Sequence, residues 1–140
     1  MKTKFKYLIP IIVFSIVFNF CTQKKSSILE VEALRTIDTT DGRISRFDIF
    51  LVRDYDSDEN VKHQIDAIIQ EHNKDKTDTF YQYDMTFYKE SDITTPSKLI
   101  ENPKLLYRYS QDHDLIYNFS WMKGKLVSKM KFENGKAVDY

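Results

Sequence analysis

Apolar residues between positions 57 and 73 recur with the spacing of a helix. They fall at i, i+4, i+7, i+8 and i+11, so they line one side of an α-helix. Ser57 and Asp58 both have side chains of the type that caps a helix N-terminus. The pattern predicts one long amphipathic helix over about residues 58–73, with an apolar stripe made of Val61, Ile65, Ile68, Ile69 and His72.

Strand patterns flank this helix on both sides. Residues 43–55 first alternate, with Arg46 and Asp48 on the polar side, and then become apolar on both faces, which is typical of a central strand. Residues 78–90 alternate aromatic and other large apolar side chains with polar ones. The dipeptide Asp41-Gly42 tolerates positive φ and predicts a hairpin into the first of these strands.

The C-terminal part of the chain predicts a pair of strands. Residues 115–132 contain two strand patterns around the turn dipeptide Lys123-Gly124, and "ENGK" predicts one more tight turn into a stub that ends at Val138. Strict alternation puts two groups of side chains on common faces. The first group is Leu115, Tyr117, Phe119 and Trp121, and the second is Lys125, Lys129 and Lys131.

Two segments do not follow a single repeat. Residues 28–37 fit a strand because apolar and acidic positions alternate, and they fit a short helix because Leu34 and Ile37 also have helical spacing. In the crossing after residue 90, Thr95-Pro96 suits a helix cap and first position, and Asn102-Pro103 ends that helix within two turns. The first segment therefore stays open between strand and helix, and the second predicts a short helix.

The order of these elements predicts an α+β fold in one domain, residues 28–140. The simplest closure is a mostly antiparallel sheet of four to six strands with the long helix packed on one face. A domain of about 115 residues buries about two thirds of its unfolded surface, so it needs neither a metal nor a disulfide to be stable.

Composition and charge exclude one class of partner. The chain has 21 basic and 21 acidic residues, and leaving out Lys2, Lys4 and Lys6 gives 18 against 21, a net charge of −3 for residues 21–140. Binding to a phosphate backbone requires Lys and Arg clustered on one face. We therefore expect no nucleic-acid partner.

The first twenty residues have the pattern of an export signal. "MKTKFK" is a positively charged start, "YLIPIIVFSIVF" is an apolar stretch, and the first acidic residue is Glu30. The apolar run from Tyr7 to Cys21 is shorter than the roughly 20 residues that span a bilayer, and it contains Pro10 and Asn19. We assign residues 1–20 to a signal peptide, with an uncleaved membrane anchor as the alternative.

The end of this segment resembles the signal peptide of a bacterial lipoprotein. The resemblance covers residues 1–27 and consists of the basic start, the apolar stretch, Cys21 at its end and the polar tether "TQKKSS". In that family the cysteine sulfur receives a diacylglycerol and cleavage occurs just before it, usually after a small residue, whereas this chain has Phe20. The resemblance implies lipidation at Cys21, a tether over residues 21–27, and a domain that faces the periplasm or the exterior. An inert buried thiol and a disulfide between two molecules are the alternatives for this lone cysteine.

Catalytic and cofactor motifs are absent from the sequence. Its three glycines exclude the glycine-rich phosphate-binding loops, and no G-x-S-x-G elbow is present. His63 and His72 lie about 180° apart on the predicted helix, so they do not share a metal, and His113 between two aspartates has no visible partner. We expect no cofactor, no metal and no catalytic residue.

Three further features bear on recognition. Asp54, Asp56 and Asp58 alternate like calcium ligands, but Glu59 and Ile65 occupy the positions where an EF-hand needs Gly and Glu, so we interpret them as helix-capping acids. The lysines of the last long strand suit an acidic partner or lipid headgroups, or else protection of a sheet edge. The remaining feature is the tyrosine pair in "YRYS", at positions 107 and 109, which suits either a contact patch or core packing.

These observations give three functional hypotheses for a lipid-anchored domain at the cell envelope. The first is a non-catalytic interaction module for a protein or envelope partner. The second is an immunity or inhibitor lipoprotein. The third is a small-ligand carrier or enzyme with a pocket between helix and sheet, around His72 and the tyrosines.

Overall fold

The computed structural model describes residues 26–74, 79–106 and 113–140. The predicted signal peptide, Cys21, most of the predicted tether and the tyrosines at positions 107 and 109 lie outside these ranges. Within them the chain has an α+β fold with a mostly antiparallel sheet of seven strands and a long helix on one face. None of the helices in these three ranges is both long and apolar enough to cross a membrane.

The strands and helices have the following bounds. The strands are β1 (Ser27–Glu30), β2 (Thr36–Thr40), β3 (Arg43–Arg53), β4 (Gln82–Lys89), β5 (Leu115–Met122), β6 (Lys125–Glu133) and β7 (Lys136–Val138). The helices are α1 (Asp58–Lys74) and α2 (Pro96–Glu101), and a 3₁₀ turn covers Glu32–Leu34. The long helix is confirmed to within one residue, whereas the sheet has more strands than the four to six predicted.

The extra strand comes from the N-terminal segment whose structure was left open. Both β1 and β2 pair antiparallel with β3. The strand β1 pairs with the last four residues of β3, and β2 pairs with the first five residues of β3. The 3₁₀ turn separates β1 from β2 along β3, and Val31 between β1 and the turn is buried. Residues 28–37 are therefore strand, short helix and strand in succession, and together with β2 they form one interrupted edge of the sheet.

A parallel pair lies at the centre of the sheet. The strand order is β1-β3-β4-β5-β6-β7, with β2 also beside β3, and only β3 and β4 run parallel. Two parallel neighbours need a crossover between their opposite ends, which α1 supplies. The prediction that β3 is a central strand is confirmed, since it has neighbours on both sides.

The hairpins are set by dipeptides that end in glycine. Lys123 and Gly124, between β5 and β6, have φ of 50° and 73°. Positive φ at both positions is the geometry of the two-residue turn whose twist matches that of the strands it joins. Asp41-Gly42 and Asn134-Gly135 have the same signs, so the three predicted turns are confirmed.

The short helix α2 begins and ends where the sequence predicts. The Thr95 hydroxyl accepts a hydrogen bond from the Lys98 backbone N–H, Pro96 is the first helical residue, and Asn102 follows the last. A capping hydroxyl and a first-turn proline satisfy or remove N–H groups that have no partner inside a helix. Leu99 is the fully buried residue of this helix and faces the sheet side opposite α1.

The larger core lies between α1 and the sheet. Phe50 and Phe87 stack with ring centroids 4.7 Å apart, and Tyr83 stacks on Trp121 at 5.4 Å. Such aromatic pairs add to the free energy gained by burying their area. The predicted apolar stripe of α1 packs onto these rings. The buried members of this helix-side core are Phe50, Val52, Val61, Ile65, Ile69, Tyr83, Met85, Phe87, Ile116, Tyr117, Phe119 and Trp121.

A smaller core lies on the opposite face of the sheet. The 3₁₀ turn, α2 and the residues that follow α2 cover one end of that face, while the other end stays uncovered. The buried members of this far-side core are Val31, Leu51, Tyr88, Leu99 and Leu106, with Leu34, Ile49, Leu105 and Leu115 packed beside them.

Two register shifts overturn parts of the predicted facing. Tyr88 pairs with Leu115 while Phe87 pairs with Tyr117, so β5 carries one extra residue and Leu115 turns to the far-side core instead of joining Tyr117. A second shift in β6 puts Lys125 opposite Met122, on the face away from Lys129 and Lys131. An extra residue in one strand reverses the facing of every residue beyond it.

The helix-side core predicts the effect of truncating the stripe of α1. Ile65 is 1% exposed, so Ile65→Ala is expected to lower the free energy of unfolding by about 2–5 kcal/mol, since it removes buried contacts and leaves a cavity. The measurement is urea unfolding followed by the fluorescence of Trp121, the single tryptophan. Ile100→Ala is the control, because Ile100 is 52% exposed and its truncation is expected to change stability by about 0.5 kcal/mol at most. Equal losses in the two variants would contradict this packing.

Candidate functional site

The sheet face opposite α1 carries a groove with a volume of about 860 Å³. Strands β3, β4, β5 and β6 form its floor and sides. Residues 33–35, at the end of the 3₁₀ turn, cover one end of the groove together with Pro103 and Leu106. Residues 36–38 of β2 line the side beside the first half of β3. The groove exists because the far-side core covers part of this face and leaves the rest open.

The groove has an apolar end and aromatic sides. Phe47 on β3 and Phe132 on β6 stand on strands that are separated by β4 and β5, and both are only partly buried. Ligand sites are commonly concave and apolar with a few polar groups. The apolar lining of the covered end consists of Ile49, Tyr88, Leu106 and Leu115.

Polar side chains from the two middle strands form the floor of the groove. Asp84 and Thr86 alternate with core residues along β4 and so point to the groove side, and Asn118 lies opposite Thr86 on β5. Asn118 Nδ2 donates to Thr86 Oγ1 at 2.9 Å, and Gln82 Nε2 donates to Asp84 Oδ2 at 2.7 Å. These two hydrogen bonds fix the orientation of the polar side chains on the floor of the groove.

One atom of this floor has no hydrogen bond. Asp84 Oδ1 is buried and has no hydrogen-bond partner among the described residues. A buried acceptor that lacks a partner costs about 1–3 kcal/mol, and more when the group is charged. Unsatisfied groups of this kind are rare in folded proteins. Asp84 is therefore the polar residue of the groove that is the best candidate for binding a ligand.

A buried ionic cluster holds the covering segment of the groove in place. Asp48 is 0% exposed and accepts hydrogen bonds from Arg35 Nε at 3.1 Å, Arg46 Nη2 at 2.6 Å and the Tyr83 hydroxyl at 2.8 Å. Arg35 also bonds to Glu30. Since Arg35 directly follows the 3₁₀ turn, its bond to Asp48 ties the covering segment to β3.

The same cluster shifts the acidity of its members. Hydrogen bonding to Asp48 raises the pKa of Arg46, and bonding to Glu30 is the main cause that raises the pKa of Arg35. Burial, followed by its bond to Asp48, raises the pKa of Tyr83. The guanidinium groups therefore stay charged and the phenol stays neutral and donating, which is the state that the buried carboxylate requires.

Once the ion pairs of Arg35 are counted, the remaining charged side chains in the groove lining are acidic. Arg35 is the one basic residue of the lining, and it is paired with Glu30 and Asp48. Asp38 and Asp84 also line the groove, and neither is ion-paired with a described residue. The groove therefore complements a positively charged group.

A second cluster locks α1 to the sheet on the other face. Asp58, the first residue of α1, accepts hydrogen bonds from Tyr55 at 2.5 Å and Tyr117 at 2.9 Å, and Lys131 Nζ lies 2.5 Å from its other oxygen. Partial burial alone would raise the pKa of Asp58, but the bonds from Lys131 and the two tyrosines outweigh it, so the pKa lies below its ordinary value. Of the lysines considered for recognition, Lys131 is therefore engaged inside the fold.

The C-terminal tyrosine extends this cluster along α1. The Tyr140 hydroxyl donates to Asp66 Oδ1 at 2.9 Å, and its ring lies 4.5 Å from Lys62 Nζ and 5.2 Å from Lys129 Nζ. Cations over an aromatic ring are attracted by its electron-rich face. The lysine face of β6 thus contacts α1 and the chain end, and it is not an edge, because β7 lies beside it.

The acidic run before α1 has separate roles for two of its residues. Asp56 accepts hydrogen bonds from Asn60 Nδ2, which lower its pKa, while Asp58 belongs to the tyrosine cluster. Within residues 26–74, 79–106 and 113–140 no group of three or more His, Cys, Asp or Glu side chains is placed to hold a metal ion.

The three histidines lie outside the lining of the groove. His63 and His113 are exposed, and His72 is half-buried with Nδ1 3.5 Å from the Tyr83 hydroxyl. Asp114, next to His113, instead accepts bonds from the hydroxyls of Ser91 at 2.7 Å and Thr94 at 2.6 Å. The structure does not bring these histidines into one site.

The groove does not lie where the third functional hypothesis put a pocket. Around His72, the space between helix and sheet holds packed rings, since Tyr83 contacts His72, Phe80 and Trp121 at centroid distances of 5.9, 6.0 and 5.4 Å. The groove is on the opposite face. The alternation of β4 could have indicated its floor, but its cover comes from segments without a strong repeat.

Comparisons with known proteins do not identify this chain. No family model, no curated protein and no solved structure matches it. The site is therefore interpreted from its own geometry.

The Asp58 cluster predicts a pH dependence of stability. A folded-state pKa below the unfolded value of about 3.9 stabilises the protein above that pH, and the contribution is lost as the pH falls through the folded value. Asp58→Asn is therefore expected to show a smaller loss of unfolding free energy than the wild type between pH 6 and pH 3, measured by urea unfolding. Asp139→Asn makes the same charge change at an exposed site and serves as the control. An unchanged pH dependence in Asp58→Asn would contradict the role of this cluster.

Proposed function

We propose that this chain is a membrane-tethered lipoprotein that acts as a non-catalytic binding module at the cell envelope, with the groove as its binding surface. The observation that carries this proposal is the groove itself, an open concavity with aromatic sides and an unsatisfied carboxylate oxygen. Concave surfaces with apolar side chains and a few convergent polar groups are typical of sites that bind a ligand or a partner.

The composition of the groove supports binding over catalysis. Its described lining contains no histidine, cysteine, serine or lysine. The Ser–His and Cys–His pairs of nucleophilic catalysis are therefore not assembled from this lining. The polar groups on the floor of the groove, Asp84, Thr86 and Asn118, suit the recognition of a ligand.

The way the chain joins the fold supports the tether. Ser26 is 2% exposed, its hydroxyl donates to the Asp54 carbonyl at 2.8 Å, and its own carbonyl accepts from Gln64 Nε2 at 2.9 Å. The domain is therefore fixed from Ser26 onward, and residues 21–25 span at most about 18 Å when extended. A lipid on Cys21 would anchor the domain in the membrane, since each buried CH₂ of an acyl chain contributes about 0.8 kcal/mol. The short tether would keep the domain close to the membrane surface.

The size of the groove supports a second candidate, a small-ligand carrier. Its volume of about 860 Å³ lies within the range of about 300–1,000 Å³ that is usual for small-molecule sites. A carrier and an interaction module would use the same lining, and they differ in the occupant.

Lipidation is tested on the mature protein from membranes. The wild-type chain is expected to yield an N-terminal mass that begins at Cys21 and includes the acyl groups, and Cys21→Ser is expected to lose that mass and leave the membrane fraction. Mass spectrometry of the N-terminal peptide makes the measurement. A membrane-bound wild-type chain that retains Met1 would replace the lipoprotein with an uncleaved anchor.

The binding surface is tested by photo-crosslinking in intact cells. A photoreactive phenylalanine analogue in place of Phe132 is expected to give a discrete adduct, because that side chain lines the groove. The control replaces His63, which is exposed on α1, on the other side of the sheet. Adducts that are identical from both positions, or none from position 132, would contradict a binding role for the groove.

A further inference from the structure

The unsatisfied oxygen of Asp84 points to the chemistry of a ligand for the groove. Asp84 lies on β4, one of the two middle strands of the groove, and its Oδ2 is already bonded to Gln82. Its Oδ1 is buried and lacks a donor among the described residues. A ligand that donates a hydrogen bond here would satisfy a carboxylate whose other oxygen is held in place.

The charge of the groove lining distinguishes between neutral and cationic hydrogen-bond donors. The lining has two carboxylates without an ion pair among the described residues, and its one cation, Arg35, is held by Glu30 and Asp48. A neutral donor would satisfy the geometry alone, whereas a cationic donor satisfies both the geometry and the charge. A cationic donor adds charge–charge attraction to a hydrogen bond that a neutral donor could also make to the carboxylate.

The neighbouring side chains favour an organic cation over a metal ion. Calcium takes six to eight oxygen ligands, and no described cluster of acidic residues supplies them. The aromatic residues Phe47, Tyr88 and Phe132 line the same groove, and aromatic faces attract organic cations and pack against apolar groups. The chemistry of the lining thus matches a molecule with one cationic and one apolar end.

The strand register sets the distance between these two ends. Ile49 pairs with Thr86, two residues along β4 from Asp84, and Tyr88 lies four residues from Asp84. At about 3.3 Å per residue these steps correspond to about 7 Å and about 13 Å. An apolar group at this separation from the charge would reach the covered end of the groove.

We propose that the groove binds a small organic ammonium ion, which donates to Asp84 Oδ1 and places an apolar group about 7–13 Å away against the covered end. This inference rests on the proposed binding role of the groove and names its ligand class. The volume of about 860 Å³ accommodates a small molecule.

The test uses the full chain in phosphatidylcholine nanodiscs, with empty nanodiscs to subtract binding to lipid. The probe is 4-phenylbutylamine, and its matched neutral and anionic controls are 4-phenylbutanol and 5-phenylpentanoate. Titrations followed by NMR are expected to give an affinity for the amine about tenfold or more above that for the alcohol, because the amine adds charge–charge attraction to a hydrogen bond that the alcohol can also donate. The carboxylate probe is expected not to bind.

Two variants locate the effect. Asp84→Asn keeps the shape of the side chain and is expected to reduce the preference for the amine to about twofold or less, whereas Asp139→Asn, at an exposed position outside the groove lining, is expected to retain it. Without ligand, Asp84→Asn is expected to unfold at the same urea concentration as the wild type or a higher one, because it removes an unsatisfied charge. A less stable Asp84→Asn chain would show that this carboxylate supports the fold, and would overturn the proposal.

The remaining outcomes separate this inference from the proposed function. Equal affinities for amine and alcohol, or unchanged amine binding in Asp84→Asn, would overturn the ammonium ligand. If a crosslinked adduct still forms from position 132, the binding role of the groove stands without it. A crosslinked adduct of protein mass that the amine does not displace would assign the groove to a macromolecule and overturn the small ligand.

Discussion

The buried carboxylate of Asp48 is the group on which the arrangement of this fold depends. It lies inside the protein and is compensated by two guanidinium groups and a phenol from three different segments. Removing one partner from a buried ionic cluster destabilises a protein far more than an exposed pair does. Because Arg35, Arg46 and Tyr83 must all reach the same carboxylate, the sheet edge, β3 and β4 are held in one relative position, and so is the segment that covers the groove.

The two faces of the sheet are stabilised in different ways. On the side of α1, aromatic rings fill the space and the Asp58 cluster joins the helix start to β5 and β6. On the other side, one short helix and one 3₁₀ turn cover part of the face. A protein whose stability comes from one face can leave polar and unsatisfied groups on the other, and such local costs occur characteristically at functional sites.

Local patterns predicted the elements of this structure and missed the contacts between distant segments. The bounds of α1, the caps of α2 and the three glycine turns depend on neighbouring residues, so the sequence alone was sufficient. The facing of Leu115 and Lys125 was wrong because each depends on an extra residue that a repeat of two cannot reveal. Asp48 looked like part of a polar face, and its burial depends on Arg35, thirteen residues away. The groove was missed for the same reason, since its cover is assembled from residues 33–35 and from residues after α2.

The place where the chain joins the domain has a consequence for access to the groove. Ser27 pairs with Arg53 at the last residue of β3, so a short tether would fasten the domain by that end of the sheet. Tyr88 and Leu51 pair near the same end, which is the covered end of the groove, whereas Asp84 pairs with Phe47 further from it. With a lipid on Cys21, the apolar end of the groove would lie nearer the attachment point than Asp84 does. The uncovered end of the groove, at Asp84, would then be the end further from the attachment point.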